Sequence, residues 1–168
     1  MKLKAALLKW GISLWPPLLG AGVKVERLDA DFRVARVRMK LRWYNRNYVG
    51  VHYGGSLYSM TDPFYMLMLS ESLGKGYVVW DKAAHIEYVK PGRSTVWADF
   101  QITPELLAQI KDKTANGEKY LPEFEVLIRD NNDEVVARVM RTLYIRRKRA
   151  STVVSAQTSE QGKMLTSE

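Results

Sequence analysis

Two adjacent glycines, Gly54 and Gly55, open a run in which Leu57, Met60, Phe64, Leu67, Met68 and Leu73 recur at helical spacing. No other feature constrains the fold as tightly. The spacing predicts a mostly apolar helix of about five turns at 3.6 residues per turn. A helix that apolar belongs in an interior, so the rest of the chain must supply a surface that wraps it.

Alternation supplies that surface. "GVKVERLD" (22–29) and "RVARVRMKLRW" (33–43) switch between apolar and basic residues with period two, which marks half-exposed strands around a turn at 29–32. "YVVWDKAAHIEYV" leads to a turn at "KPGR" and on to "STVWADFQIT". A short helix, "PELLAQIKDK", follows, then a hairpin from Glu123 to Arg147 that turns at "DNND". The order is helix, two strands, long helix, two strands, short helix, two strands. An antiparallel sheet around a buried helix satisfies both apolar surfaces at once, which is an α+β arrangement.

At 168 residues the chain suits one domain. At the amino terminus, Leu3, Leu7, Trp10 and Leu14 recur at helical spacing with lysines between them, and Pro16 stops the helix. Its stripe is expected to pack on the domain, with a position on a membrane surface as the alternative. Lys9 interrupts the apolar run and no small-residue cleavage pattern follows, so the segment does not read as a signal peptide. From Ala150 the chain is polar and without periodicity. The expected organisation is an amino-terminal helix packed on the domain over 1–19, one domain over 20–149, and a disordered tail over 150–168.

The absence of cysteine excludes disulfides, thiolate metal sites and a cysteine nucleophile, and is in keeping with a cytoplasmic location. With two histidines, His52 and His85, no metal site and no cofactor is expected. The net charge of +8 is spread over Arg33, Arg36, Arg38 and Lys40 along one strand and over "RRKR" at 146–149. Basic residues alone give only nonspecific nucleic-acid binding, and no recognition motif accompanies them. The reading is no nucleic acid, and an anionic small molecule instead.

The stretch "NYVGVHYGGSLYSMTD", from Asn47 to Asp62, carries the candidate chemistry. Gly54 and Gly55 allow close approach of a ligand, and unpaired N–H groups of the first helical turn can face a carbonyl oxygen. The same glycines serve equally for a tight turn packed on the sheet. Asp62 precedes Pro63, so it reads either as a reactive carboxylate or as the cap of a helix that restarts there. His52 reads as a solvated or hydrogen-bonded loop residue, and His85 as structural.

With Asn47, Gly50, Gly54, Gly55 and Asp62 at matching positions, the chain resembles the hotdog-fold superfamily. Within it, the chain is similar to a bacterial hotdog family of unknown function related to phenylacetate-pathway and hydroxybenzoyl-CoA type thioesterases. "IEYVKPGRSTVWADF" also looks like the strand, Pro-Gly turn and strand after the central helix in these proteins, and the likeness spans most of residues 20–147. It implies a curved antiparallel sheet around a long central helix, with acyl-CoA or an acyl carrier as ligand and a homo-oligomer, dimer or tetramer.

The resemblance further implies a thioesterase-like hydrolase, with Gly54 and Gly55 as oxyanion hole and Asp62 as base or nucleophile. Gly55 and Asp62 would come from opposite subunits. Where the family has histidine this chain has Tyr53, with His52 one residue earlier and facing the other way in an extended segment. Asn47 and Tyr53 complete the catalytic set, while His52, Gly50, Arg93 and Tyr58 are the candidate substrate contacts. A noncatalytic acyl or acyl-CoA binding protein is the alternative, and a dehydratase the third.

Overall fold

The computed structural model describes residues 2–148; the expected tail over 150–168 lies outside them. Two helices, α1 (Lys2–Leu14) and α2 (Pro16–Ala21), precede strands β1 (Val23–Leu28) and β2 (Val34–Met39). Helices α3 (Gly54–Ser59) and α4 (Phe64–Leu73) follow, then β3 (Tyr77–Tyr88), β4 (Val96–Gln101) and α5 (Pro104–Lys113). The chain continues through β5 (Lys119–Tyr120), β6 (Glu123–Asp130) and β7 (Val135–Arg147).

The strands form one antiparallel sheet in the order β1-β2-β4-β6-β7-β3, with the short β5 beside β7. Alternation sends Ala35, Val37 and Met39 of β2, and Val96, Ala98 and Phe100 of β4, to the inner face, all essentially without solvent contact. Met60, Phe64, Met68 and Leu69 of the helical layer are equally buried and join the same core. Phe64 packs on Phe100 with ring centroids 4.8 Å apart. Tyr65 stacks on Phe124 at 4.3 Å.

Local chemistry fixes the ends of the elements. Thr103 caps α5 by accepting the Leu106 N–H at 3.2 Å, and Pro104 occupies the first turn, where its missing N–H costs nothing. In the β6–β7 turn, Asp130 Oδ1 accepts N–H bonds from Asn132 and Glu134.

Three details depart from the sequence reading. The central helix is in two pieces: the N–H groups of Thr61 and Asp62 reach back only three residues, and Pro63 has none to give. Asp62 does not cap the restart, since Pro63 holds that position without a side-chain bond. Pro16, expected only to stop a helix, also begins α2.

The third concerns α1, which turns its other face to the domain. Ser13 Oγ accepts the Val25 N–H at 3.1 Å and Lys9 Nζ donates to the Glu26 carbonyl at 2.5 Å, so α1 seals part of the β1 edge. Ala5 is buried there, whereas Leu3, Leu7, Trp10 and Leu14 are 62–74% exposed. A strand edge offers backbone N–H and C=O groups, which Ser13 and Lys9 can satisfy and leucines cannot.

Candidate functional site

An open cleft of about 560 Å³ lies where the chain enters α3, between the 47–57 segment and the 88–92 turn. Asn47, His52, Tyr53, Gly54 and Gly55 line one wall, and Tyr88, Lys90 and Gly92 the other. The glycines have a visible steric reason. A Cβ on Gly54 would sit 2.8 Å from the Tyr88 hydroxyl, and one on Gly55 would sit 2.4 Å from Tyr53 Cε1. Two half-exposed tyrosine rings therefore lie against the glycine backbone.

The amides of Ser56 and Leu57 both turn back to the Tyr53 carbonyl. Those of Gly54 and Gly55, the first two of α3, have no acceptor among the described residues. Asn47 organises the approach: its Oδ1 accepts the N–H groups of Val49 and Val51 at 3.1 and 3.2 Å. Gly50, at φ +80°, closes that turn on the Asn47 carbonyl. Gly50 shapes the loop and does not line the cleft.

His52 is 2% exposed, while Tyr53 beside it is 58% exposed, the opposite facing that an extended segment dictates. His52 Nε2 lies 2.8 Å from the Ser94 carbonyl. A carbonyl can only accept, so Nε2 carries the proton in the neutral ring and Nδ1 is a bare acceptor. That Nδ1 is buried and has no protein partner. Burial pushes the imidazole pKa below its ordinary value, against the opposing effect of the Ser94 bond.

Asp62 stands apart from the cleft, in an ion cluster built around Arg141. In β7 the inward-facing series runs Val139, Arg141, Leu143 and Ile145, so one guanidinium occupies a core position, 1% exposed. Its Nη2 donates to Asp62 Oδ1 and to Asp81 Oδ1, both at 2.8 Å, and its Nε adds a second bond to Asp81 at 3.0 Å. The guanidinium also lies over the Tyr58 ring, 5.5 Å from its centroid. Burial raises the Asp81 pKa, with the bonds to Arg141 opposing that rise. For Arg141, burial works to lower the pKa, but the Asp81 and Asp62 carboxylates outweigh it and the net shift is upward.

One chain thus brings together Asn47, His52, Tyr53, Gly54 and Gly55, and places Asp62 and Tyr58 on Arg141. Arg93 is exposed and outside the cleft. Lys90 is the cation at the rim, paired with Asp130 at 2.7 Å and with Glu134. Arg141, Asp81, Lys90 and Tyr88 were not singled out in the sequence. Arg141 had a signal: a basic residue at an inward position of a period-two strand. So had Asp81, a carboxylate inside "YVVWDKAA".

Residues 4–145 match the model of a domain of unknown function, DUF4442. No curated protein matches the chain. Among solved structures, the chain resembles PA5026 of Pseudomonas aeruginosa, a protein of unknown function described as a probable thioesterase. That match has a TM-score of 0.75 and 18% identity over 85% of this chain and 95% of the other. Thioesterase HI1161 of Haemophilus influenzae matches at 0.62 and 14% identity, over 85% and 90% of the two chains. The E. coli PaaI protein of the phenylacetic acid degradation operon matches at 0.59 and 17%, over 87% and 92%. Identities this low establish the shared hotdog fold, an antiparallel sheet with central helices and an amino-terminal helix.

Proposed function

The chain belongs to the DUF4442 family, and we propose that it is a thioesterase-like hydrolase of acyl-CoA or acyl-carrier thioesters, working as a dimer with shared sites. What carries this reading is the cleft itself, lined by two glycines, Gly54 and Gly55, whose amides have no acceptor among the described residues. The amides would hold the oxyanion formed when the thioester carbonyl is attacked. Because α3 is only six residues long, these two N–H groups, and not a long helix dipole, supply the field.

Asp62 would act on water as general base, or attack the carbonyl itself to give an acyl-enzyme anhydride. In either course the coenzyme A thiolate leaves and water supplies the oxygen of the acid. Arg141 holds Asp62 Oδ1 and leaves Oδ2 without a partner. Asn47 would keep the 47–51 turn in place. Tyr53, Tyr88 and Val89 would border the acyl group, with Lys90 and Arg93 toward the phosphates.

The argument for a dimer is geometric. β3 is twelve residues long and, among the described residues, pairs only with β7, leaving a long free edge that carries exposed Trp80 and Tyr88. Antiparallel pairing of β3 with its copy, centred on His85, would set Ile86 opposite Ala84 and, across the irregularity between Asp81 and Ala83, bring Tyr88 of one protomer beside Asp81 of the other. Asp81 is joined to Asp62 through Arg141, and Tyr88 lies on Gly54. Such a pairing would bring Asp62 toward Gly54 and Gly55 of the second copy.

Noncatalytic acyl-CoA binding is the second reading, favoured by the guanidinium on Asp62, which occupies one of its two carboxylate oxygens. Thiol release from acyl-CoA separates the two. The shared site has its own test: Asp62→Asn and Gly55→Val, each inactive alone, regain activity when mixed, because half of the dimers formed at random are mixed and each of these holds one intact site.

A further inference from the structure

We propose that α1 docks the protein on anionic lipid membranes, with the Leu3, Leu7, Trp10 and Leu14 stripe set into the lipid interface. The stripe holds one face over three turns of helix, and all four side chains point away from the domain. Trp15 and Leu19, about half exposed, extend it across α2. Four leucines and two tryptophans left in water on thirteen residues of helix and its continuation are far more than a soluble surface needs. No helix among the described residues is long and apolar enough to cross a membrane, so a position within the interface is the one that suits α1.

Charge says which surface covers it. The first 25 residues contain Lys2, Lys4, Lys9 and Lys24 and no acidic residue. Directly after α2, Gly22, Lys24, Arg38, Lys40, Arg42 and Tyr44 enclose a groove of about 260 Å³. Of its four cations, only Arg38 has a carboxylate partner among the described residues, Glu26 at 3.0 Å. Trp43, 80% exposed, stands beside Tyr44 at the rim, and such aromatic rings favour the headgroup level. Cations free to meet lipid phosphates, next to an apolar stripe, are the composition of an interfacial helix.

A second copy of the chain is the weaker occupant. The free edge suited to self-pairing is β3, at the far end of the sheet from β1, where α1 lies. Membrane and partner protomer can therefore be engaged at once.

The test is flotation of the full chain with vesicles of phosphatidylcholine, and of phosphatidylcholine mixed with phosphatidylglycerol. The native chain is expected to float with the mixed vesicles, and Leu7→Glu with Trp10→Glu to lower that binding at least about tenfold. Lys24→Glu with Lys40→Glu should lower it by about tenfold, as should raised salt. Brominated lipid should quench the fluorescence of the native chain more than that of Trp10→Phe, a variant that leaves the folded face untouched. The proposal fails if the native chain floats with neither vesicle, or if the Leu7 and Trp10 variant floats like the native chain. It fails too if that variant dissolves a larger assembly of the native chain, which would give the stripe to a second copy.

Discussion

Arg141 Nη2 donates to Asp62 Oδ1 at 2.8 Å from a side chain that is itself 1% exposed, while Asp62 remains about half exposed. Asp81 of β3 holds the buried guanidinium from one side, and the guanidinium in turn holds Asp62 at the surface. This asymmetry separates what each residue does for stability from what it does for the site.

Removing the arginine strands the Asp81 carboxylate in a partly buried position. Arg141→Met is expected to destabilise the fold by about 3 kcal/mol or more, the cost of breaking a buried pair from one side. Asp62→Asn, at the exposed end, should cost no more than about 1 kcal/mol. Urea unfolding of the two variants checks the contrast. Equal losses would contradict it.

The glycine contacts make a second contrast, between fold and activity. Neither Gly54 nor Gly55 has a positive φ, and the atoms a Cβ would meet belong to exposed tyrosine rings that can swing aside. Gly55→Ala should keep stability within about 1 kcal/mol. Thiol release should fall by about 10- to 100-fold as the methyl displaces the Tyr53 ring and intrudes beside the amides. A variant as active as the native chain would remove the oxyanion role from Gly55.

His52 gives a pH signature. Its folded pKa lies below the unfolded value of about 6.5, so the unfolded chain binds that proton more readily. Its contribution to stability is complete above about pH 6.5 and declines as pH falls through that value toward the lower folded pKa. His52→Gln keeps a donor for the Ser94 carbonyl and does not titrate. Between about pH 7.5 and 5.5 the native Tm should fall relative to that of the variant. Parallel curves would mean that the imidazole is protonated in the fold as easily as out of it.

Asn45 tests the frame around the site. It is 2% exposed; its Nδ2 donates to the Ala21 and Lys40 carbonyls at 3.0 and 2.9 Å, and its Oδ1 accepts the Arg42 N–H at 2.7 Å. It ties the end of α2 to the loop after β2. Asn45→Ala should cost about 2 kcal/mol, because two carbonyls and an amide lose their partner in a buried place. Chemical denaturation reads this directly.

The sheet was legible because period-two alternation survives in "RVARVRMKL" and "VARVMRTLYI", and α5 because Thr103-Pro104 spells a helix start. The Gly54-Gly55 turn, the Asn47 loop and the opposite facing of His52 and Tyr53 also follow from local rules, but which of the two would be buried does not. The break at Pro63 was harder to place, since the apolar spacing runs unbroken through it while the backbone does not. The inward Arg141 and its partner Asp81 depend on a pairing between β7 and β3, sixty residues apart in the chain, which no local pattern encodes. The outward stripe of α1 was hidden for a related reason. Periodicity identifies an apolar face, but the polar edge of β1 decided which face would dock.

The central claim is tested most directly by thiol release from a panel of short-chain, long-chain and aryl acyl-CoAs, comparing the native chain with a folded Asp62→Asn variant. Hydrolysis of at least one member, lowered about 100-fold or more in the variant, is the predicted result. Binding of acyl-CoA without turnover by the native chain, or turnover indifferent to Asp62→Asn, would contradict it.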